Sequence, residues 1–170
     1  MSSTYSELNS NLGNALQMAL DATAKIALNE LLNLIESDVY SYHDSWTNGS
    51  SGDYGRTGEW KNTWDRTKAS LTSALNGAEA TAEIGQMVNL VWHQPFSHGS
   101  IVEQEAISME NLNTIINEGL RDTGINFPAM SARPFWDDFQ KWCSSNLVAV
   151  FKSECAKQGV PTGATLTYSM

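Results

Sequence analysis

The sequence predicts an α+β fold, and three observations carry that expectation: a long apolar stripe at helical spacing near the N-terminus, an Asn-Gly dipeptide between alternating runs, and two more helical stripes in the C-terminal third. Leu8, Leu12, Leu16, Leu20, Ala24, Leu28, Leu31 and Ile35 recur every three or four residues, with Ala15, Ala19, Ala27, Leu32 and Leu34 widening the stripe. That period is the signature of an amphipathic helix. Ser6 is placed to cap it, because its hydroxyl accepts from an orphan amide of the first turn. About 28 residues at 1.5 Å each make roughly 42 Å of helix. This exceeds a compact domain of such size, so part of the stripe is left to pack elsewhere.

Residues 46–58 hold Gly49, Gly52, Gly55 and Gly58 and no apolar period, which predicts a mobile loop. The glycines follow no strand and precede no lysine-bearing helix, so they do not form a phosphate cradle. The run Thr67–Leu75, then Asn76-Gly77, then Ala78–Val91 predicts an antiparallel hairpin, since both turn residues tolerate positive φ. Ala78, Ala80, Ala82 and Ile84 alternate with Glu79, Thr81 and Glu83, which gives one covered face and one wet face.

A second loop, His93–Ser100, leads to a helix of about three turns. Ser108 would cap it, Ile107 and Leu112 would form a hydrophobic staple, and Gly124 lies near its end. An irregular linker, Ile125–Arg133, follows, and Pro134 opens the last helix, where the missing amide costs nothing. Phe135, Phe139, Trp142, Cys143, Leu147, Val150 and Phe151 mark one face as far as Cys155, and Gly159 with Pro161 ends it. The expected organisation is one domain over residues 1–159 with a C-terminal tail or arm over 160–170.

Ten Lys and Arg against nineteen Asp and Glu leave a net charge of −9, which excludes tight sequence-reading of nucleic acid by phosphate neutralisation. No apolar run approaches the roughly 20 residues that span a bilayer, so no membrane partner is expected. The first residues carry neither a basic flank nor an apolar signal core, from which a cytoplasmic site of synthesis and use is expected. Cys143 and Cys155 would sit about 18 Å apart on one helix, too far for a disulfide, and are read as free buried thiols.

The histidines His43, His93 and His98, even with Asp44, match no metal-ligand spacing, and no nucleophile elbow or phosphate loop is present. No cofactor, no metal and no catalytic residue is therefore expected. Asp137 and Asp138 sit in a first helical turn, where carboxylates favour the helix dipole. Of the six tryptophans, Trp60 and Trp64 keep to one side of their segment whether it is helical or extended, because they are four apart. Most are read as core, one or two as interface anchors.

Two segments carry a family likeness. Tyr54-Gly55-Arg56-Thr57-Gly58-Glu59-Trp60-Lys61-Asn62-Thr63-Trp64 resembles the Arg-Thr-Gly-x-Leu-x-x-Ser-Trp signature that follows the long first helix in neck and tail-completion proteins of tailed bacteriophages. Ala132-Arg133-Pro134-Phe135-Trp136-Asp137-Asp138-Phe139 resembles that family's Ala-Arg-Pro-Phe entry to its last helix. Order and setting agree over about two-thirds of the chain; the segment from about His93 to Met130 and a longer loop before Arg56 depart from the pattern.

The resemblance implies a non-enzymatic virion part, assembled in the host bacterial cytoplasm. It would be a homo-oligomeric ring, six subunits in preference to twelve, in the head-tail connector. The ring would join portal-adaptor, neck or tail neighbours around a channel through which DNA passes without sequence-specific binding. The candidate interface residues are Arg56, Trp60, Leu8, Leu12 and Arg133, together with the sheet edge near Ala78–Ile84. For Arg56 and Arg133 an ion pair with a neighbouring subunit and an intrachain contact are both open. A tail-terminator or capsid accessory protein is the nearest alternative, and a small hydrolase or carbohydrate-binding domain would require a convergent polar pocket.

Overall fold

The structure is a computed structural model that describes residues 2–40, 60–74, 77–88, 92–93, 106–107, 109–119 and 132–170. The chain is α+β. It opens with a long helix, α1 (Ser2–Leu34), which continues as a π-helical turn over Ile35–Tyr40. Short strands follow: β1 (Trp64–Arg66), β2 (Ser70–Ala74), β3 (Gly77–Thr81), β4 (Ile84–Gln86), β5 (Trp92–His93) and β6 (Ala106–Ile107). Helix α2 (Met109–Glu118) comes next, and the chain closes with α3 (Phe135–Trp142), a π turn over Cys143–Leu147 and α4 (Val148–Lys157). The chain forms two compact units: Met1–Leu31, Asp65–Gly85 and Phe139–Met170 in the first, Leu32–Trp64 and Gln86–Asp138 in the second.

In the first unit the expected hairpin is present. β2 and β3 pair antiparallel from Ser70↔Thr81 to Ala74↔Gly77, so Gly77 is the first ladder residue and residues 75 and 76 lie outside the described residues. The alternation also holds: Ala78, Ala80 and Ala82 are half-covered while Glu79, Thr81 and Glu83 are exposed. The sheet, however, is not one continuous ladder. β1 pairs with β4 and β2 with β3, and between the two ladders residues 67–69 face 82–83, one residue too many on the first side. Such an insertion is a bulge, which leaves backbone groups out of the ladder. Thr67 restores part of the pairing: its N–H donates to the Glu83 carbonyl at 2.8 Å and its Oγ1 accepts the Glu83 N–H at 2.9 Å.

Helix α1 takes up the rest. Gln17 Nε2 donates to the Ala69 carbonyl at 2.5 Å, and the Ala69 N–H donates to Asp21 Oδ1 at 3.3 Å. Arg66 donates from Nη1 and Nη2 to the two oxygens of the Asp21 carboxylate. Ala69 then packs in the core with Ala19, Leu20, Phe151, Cys155 and Val160. Gly13 lies against the same hairpin, where a Cβ would stand 2.8 Å from Leu71 Cδ2. A side chain at that position would force Leu71 to move.

The C-terminal helical segment buries Phe139, Cys143, Phe151 and Cys155, with Leu147 half-buried between them. Steps of four residues drift by about 40° each on a 3.6-residue helix. A straight α-helix would carry such a row off its face, and the wider π turn at Cys143–Leu147 brings it back. The expected end at Gly159 is a Schellman turn: Gly159 has φ +71°, its N–H donates to the Ala156 carbonyl at 3.2 Å, and Val160 N–H donates to the Cys155 carbonyl at 2.9 Å. Beyond it the segment expected as a tail or arm packs on this unit through Val160, Ala164 and Leu166. Both cysteines are free and buried, and burial pushes the Cys143 thiol up to about 11.

Several local expectations shift. Ser6 lies inside α1 rather than at its start, and α2 ends at Glu118 with Gly119 at φ +80°, ahead of the expected Gly124. His93, expected in a loop, pairs with Ala106 in an antiparallel ladder. The glycine-rich segment 46–58 lies outside the described residues.

The burial pattern sets a ranking. Phe151→Ala, at a site 2% exposed, should cost about 3–5 kcal/mol in denaturant unfolding. Trp142 is only half-buried and stacks on Phe139 at 6.3 Å between ring centres, so Trp142→Ala should cost roughly 1–2 kcal/mol. A larger loss for Trp142 than for Phe151 would contradict this packing.

The Asp21 cluster sets a pH dependence. The hydrogen bonds from Arg66, followed by that from the Ala69 amide, hold the Asp21 carboxyl below its usual range against an opposing desolvation. A carboxyl with a lowered folded-state pKa stabilises fully above its unfolded value near 3.9, and loses that contribution as pH falls through the lower folded value. The stability difference between the parent and Asp21→Asn should therefore be flat above about pH 5 and shrink below about pH 4. A gap that widens on acidification would reverse the assignment.

Candidate functional site

The second unit gathers aromatic rings from two distant segments. Trp60 opens a single 3-10 turn over Lys61–Thr63, closed by Thr63 N–H and Oγ1 donating to the Trp60 carbonyl at 3.2 and 2.7 Å. The turn is tied to the π-helical end of the first helix. Lys61 N–H donates to the Tyr40 hydroxyl at 3.4 Å, and Lys61 Nζ pairs with Glu36 at 2.6 Å. Phe135, 1% exposed, receives Trp60 and Trp64 edge-on with ring centres 5.2 and 6.1 Å away. Trp136 stacks on Trp64 at 5.6 Å, and Trp60 meets Trp64 edge-on at 6.2 Å. T-shaped and offset pairs of this kind are the favoured aromatic geometries.

Polar side chains lock the cluster to α2. Asn113 Oδ1 accepts Trp60 Nε1–H at 2.9 Å, and Asn113 and Gln86 exchange amide hydrogen bonds at 2.8 and 3.2 Å. Gln86 Nε2 also donates to Thr63 Oγ1 at 3.1 Å. Pro134 offers α3 no side-chain cap, and the cap is borrowed: Asn117 Oδ1 accepts the Trp136 amide at 3.1 Å, while Asn117 Nδ2 donates to Asp137 Oδ1 at 3.3 Å. Those first-turn amides lack intrahelical acceptors, so a carboxamide from another helix does the work of an N-cap.

Between α2 and the aromatic cluster opens a cleft of about 290 Å³, lined by Trp64, Phe135 and Trp136 on one side and by Glu110, Asn113, Thr114, Asn117 and Glu118 on the other. The α2 residues stand at i, i+3, i+4, i+7 and i+8, one face of a helix. Asn113, Asn117 and Thr114 already make internal hydrogen bonds; Glu110 and Glu118 make no ion pair among the described residues. Trp64 is 8% exposed, and its Nε1–H has no acceptor among the described residues. Glu110 and Glu118 are separated by about 12 Å of helix rise, wider than the roughly 5–9.5 Å kept by carboxylate pairs that hydrolyse glycosides. Among the described residues the cleft has no histidine, cysteine or lysine, and no cluster of His, Cys, Asp and Glu could hold a metal ion. Its chemistry is that of an anionic, aromatic recess.

The expected interface residues are scattered. Trp60 belongs to the aromatic cluster, half-buried. Arg133 is 6% exposed, and its backbone N–H donates to the Ile116 carbonyl at 2.9 Å. Leu12 is 36% exposed on α1. Leu8 lies within α1, its side chain outside the described residues, as is Arg56 altogether. Sequence reading missed the polar face of α2, whose five-residue pattern was available in the period; it also missed Gln86, for which no local signal exists. Comparison with family models, curated proteins and solved structures returned no match.

The Asn113 network predicts a measurable cost. Asn113→Ala strands the Trp60 indole N–H and the Gln86 carboxamide, and should lower stability by about 1–3 kcal/mol. Thr114→Ala, one residue on and exposed, should change it by less than about 0.5 kcal/mol. Equal effects in chemical denaturation would remove Asn113 from its structural role.

Proposed function

We propose that this chain is a structural virion protein of a tailed bacteriophage, a subunit of a ring in the head-tail connector. The observation that carries the reading is the convergence of the two segments that resemble the neck and tail-completion family. Trp60 and Trp64 from the first meet Phe135 and Trp136 from the second in one aromatic cluster, so the two motifs form a single structural element. The long first helix preceding the first motif agrees with the same order. The net charge of −9 favours a conduit that DNA traverses without adhering, because like charges repel and no counterions are released.

A ring closes when one surface of a subunit binds a different surface of the next. On this reading the first surface is the outer end of α1 around Leu8 to Leu16, where Leu12 is 36% exposed. The second is the exposed edge and wet face of the β2–β3 hairpin, a strand pair with no further neighbour among the described residues. Neighbours in the particle would be portal-adaptor, neck or tail proteins, and the chain would carry no catalytic activity.

Imaging of assembled particles, with the chain tagged at a described exposed position such as Lys152, tests this directly. The expected result is a closed ring of this chain in the neck, with six copies in preference to twelve. Labelling confined to the capsid shell or distal tail, or one isolated copy per particle, would overturn it.

A further inference from the structure

The chain beyond Gly159 has features that neither the core nor the ring reading uses. Residues 164–170 run without turn or bend. Ala164 and Leu166 are half-buried against the core cluster of the first unit, while Thr165 and Thr167 are exposed. That alternation is the period of an extended strand, and Thr and Tyr favour strands. Tyr168 and Met170 continue the apolar side, yet they are 39% and 53% exposed. Among the described residues the backbone of 165–170 makes no hydrogen bond; the last along the chain is Ala164 N–H to the Pro161 carbonyl at 3.2 Å.

We propose that residues 165–170 form an arm that adds as a strand to the outer edge of β3 in a second copy of this chain. Strand addition gives main-chain hydrogen bonds to an unpaired extended segment and to an open sheet edge at once. The lengths match, since β3 (Gly77–Thr81) offers five ladder residues and the arm is one residue longer. The β2 side is bordered by α1, whose Gln17 and Asp21 already hold Ala69, whereas β3 has no neighbour beyond β2 among the described residues. Charge agrees as well. β3 and the residues after it carry Glu79 and Glu83 with no Lys or Arg before Gln86, and no charged residue follows Lys157 in a chain of net charge −9. A neutral arm approaches that acidic strand without repulsion.

Within its own copy the arm shares the apolar cluster with Ala80, but no hydrogen bond joins it to β3. Its start at Ala164 and Leu166 is already packed, so less conformational freedom is lost when the rest pairs. Arm on edge uses two unlike surfaces of each subunit, the arrangement that can close into a ring. The inference rests on the self-association in the proposed function and not on the place of the chain in a particle.

Hydrogen–deuterium exchange of the full chain, followed from micromolar to millimolar protein, tests the pairing. Exchange should slow at least tenfold in 165–170 and at the outward amides of β3 together, and only as concentration rises. Thr167→Pro combined with Tyr168→Pro removes an amide from each of the two alternating edges of the arm, where the free chain has no hydrogen bond to lose. This variant should self-associate at least tenfold more weakly in sedimentation and lose both protections, with exchange in α1 and α4 unchanged. Thr167→Val, which keeps the amide, should retain them.

Protection independent of concentration would assign the arm to its own hairpin and overturn the proposal. Protection of the arm without β3, protection that persists in the double-proline variant, or none up to millimolar protein would overturn it too. A closed ring in the neck whose arm stays unprotected would sink this inference and leave the ring standing. Concentration-dependent pairing in a chain found elsewhere in the particle would support the arm while the neck reading fell.

Discussion

The first unit depends on one extra residue in a hairpin. Because residues 67–69 face only two residues on the return strand, Ala69 is pushed out of the ladder with its N–H and carbonyl unpaired by the sheet. A buried peptide group without partners is costly, so the bulge survives only if something else supplies them. Gln17 and Asp21 do so, and they can because they are four apart on α1 and lie on one face. Arg66 then neutralises the Asp21 carboxylate from the strand side. The same arrangement drives the Ala69 methyl into the apolar cluster of Ala19, Leu20 and Phe151, so polar satisfaction and burial fix the same helix-to-hairpin register. Neither would fix it alone.

Much of this fold was legible because it is periodic. The α1 stripe, the alternating β3 strand, the row from Phe139 to Cys155 and the Gly159 stop all follow from spacing and backbone chemistry, and all are found where spacing puts them. What spacing does not encode is a change of period. The buried row Phe139, Cys143, Phe151 and Cys155 advances in fours, a pattern that reads as an ordinary helix yet requires the π turn at Cys143–Leu147 to stay on one side. The bulge was hidden for the same reason, since a one-residue insertion leaves the composition of both strands unchanged. Boundaries moved where two candidate stop signals compete. Gly119 ends α2 before Gly124, as the first glycine able to take positive φ.

The second unit was legible in its rings and illegible in its polar contacts. Trp60 and Trp64 on one side of a segment, and Phe135 at a helix start, are local readings, and their meeting follows from hydrophobic gain that any order of pairing would share. Which carboxamide satisfies which donor is a long-range matter. Asn113 reaches Trp60 and Gln86 across 53 and 27 residues of sequence, and Asn117 caps a helix 19 residues away. Such bonds are individually small and collectively specific, since each removes one unpaired group from a partly buried site. Sequence periodicity carries no record of them.

Motif residues and exposed polar residues thus separate in this chain. The segments that resemble a known family spend their aromatic side chains inward: Phe135 is fully covered, Trp64 nearly so, and Arg133 is drawn in with them. Their chemistry is that of a scaffold, fixing where α2 and the start of α3 stand within the unit. What that scaffold displays is the face of α2 that no motif marks, where Glu110 and Glu118 stand exposed. A partner reads exposed, uncommitted groups, because buried and already bonded ones have no free energy left to give to an encounter. The inward residues therefore carry both the family likeness and the stability of the unit, and the acidic face of α2 is what the unit leaves to solvent.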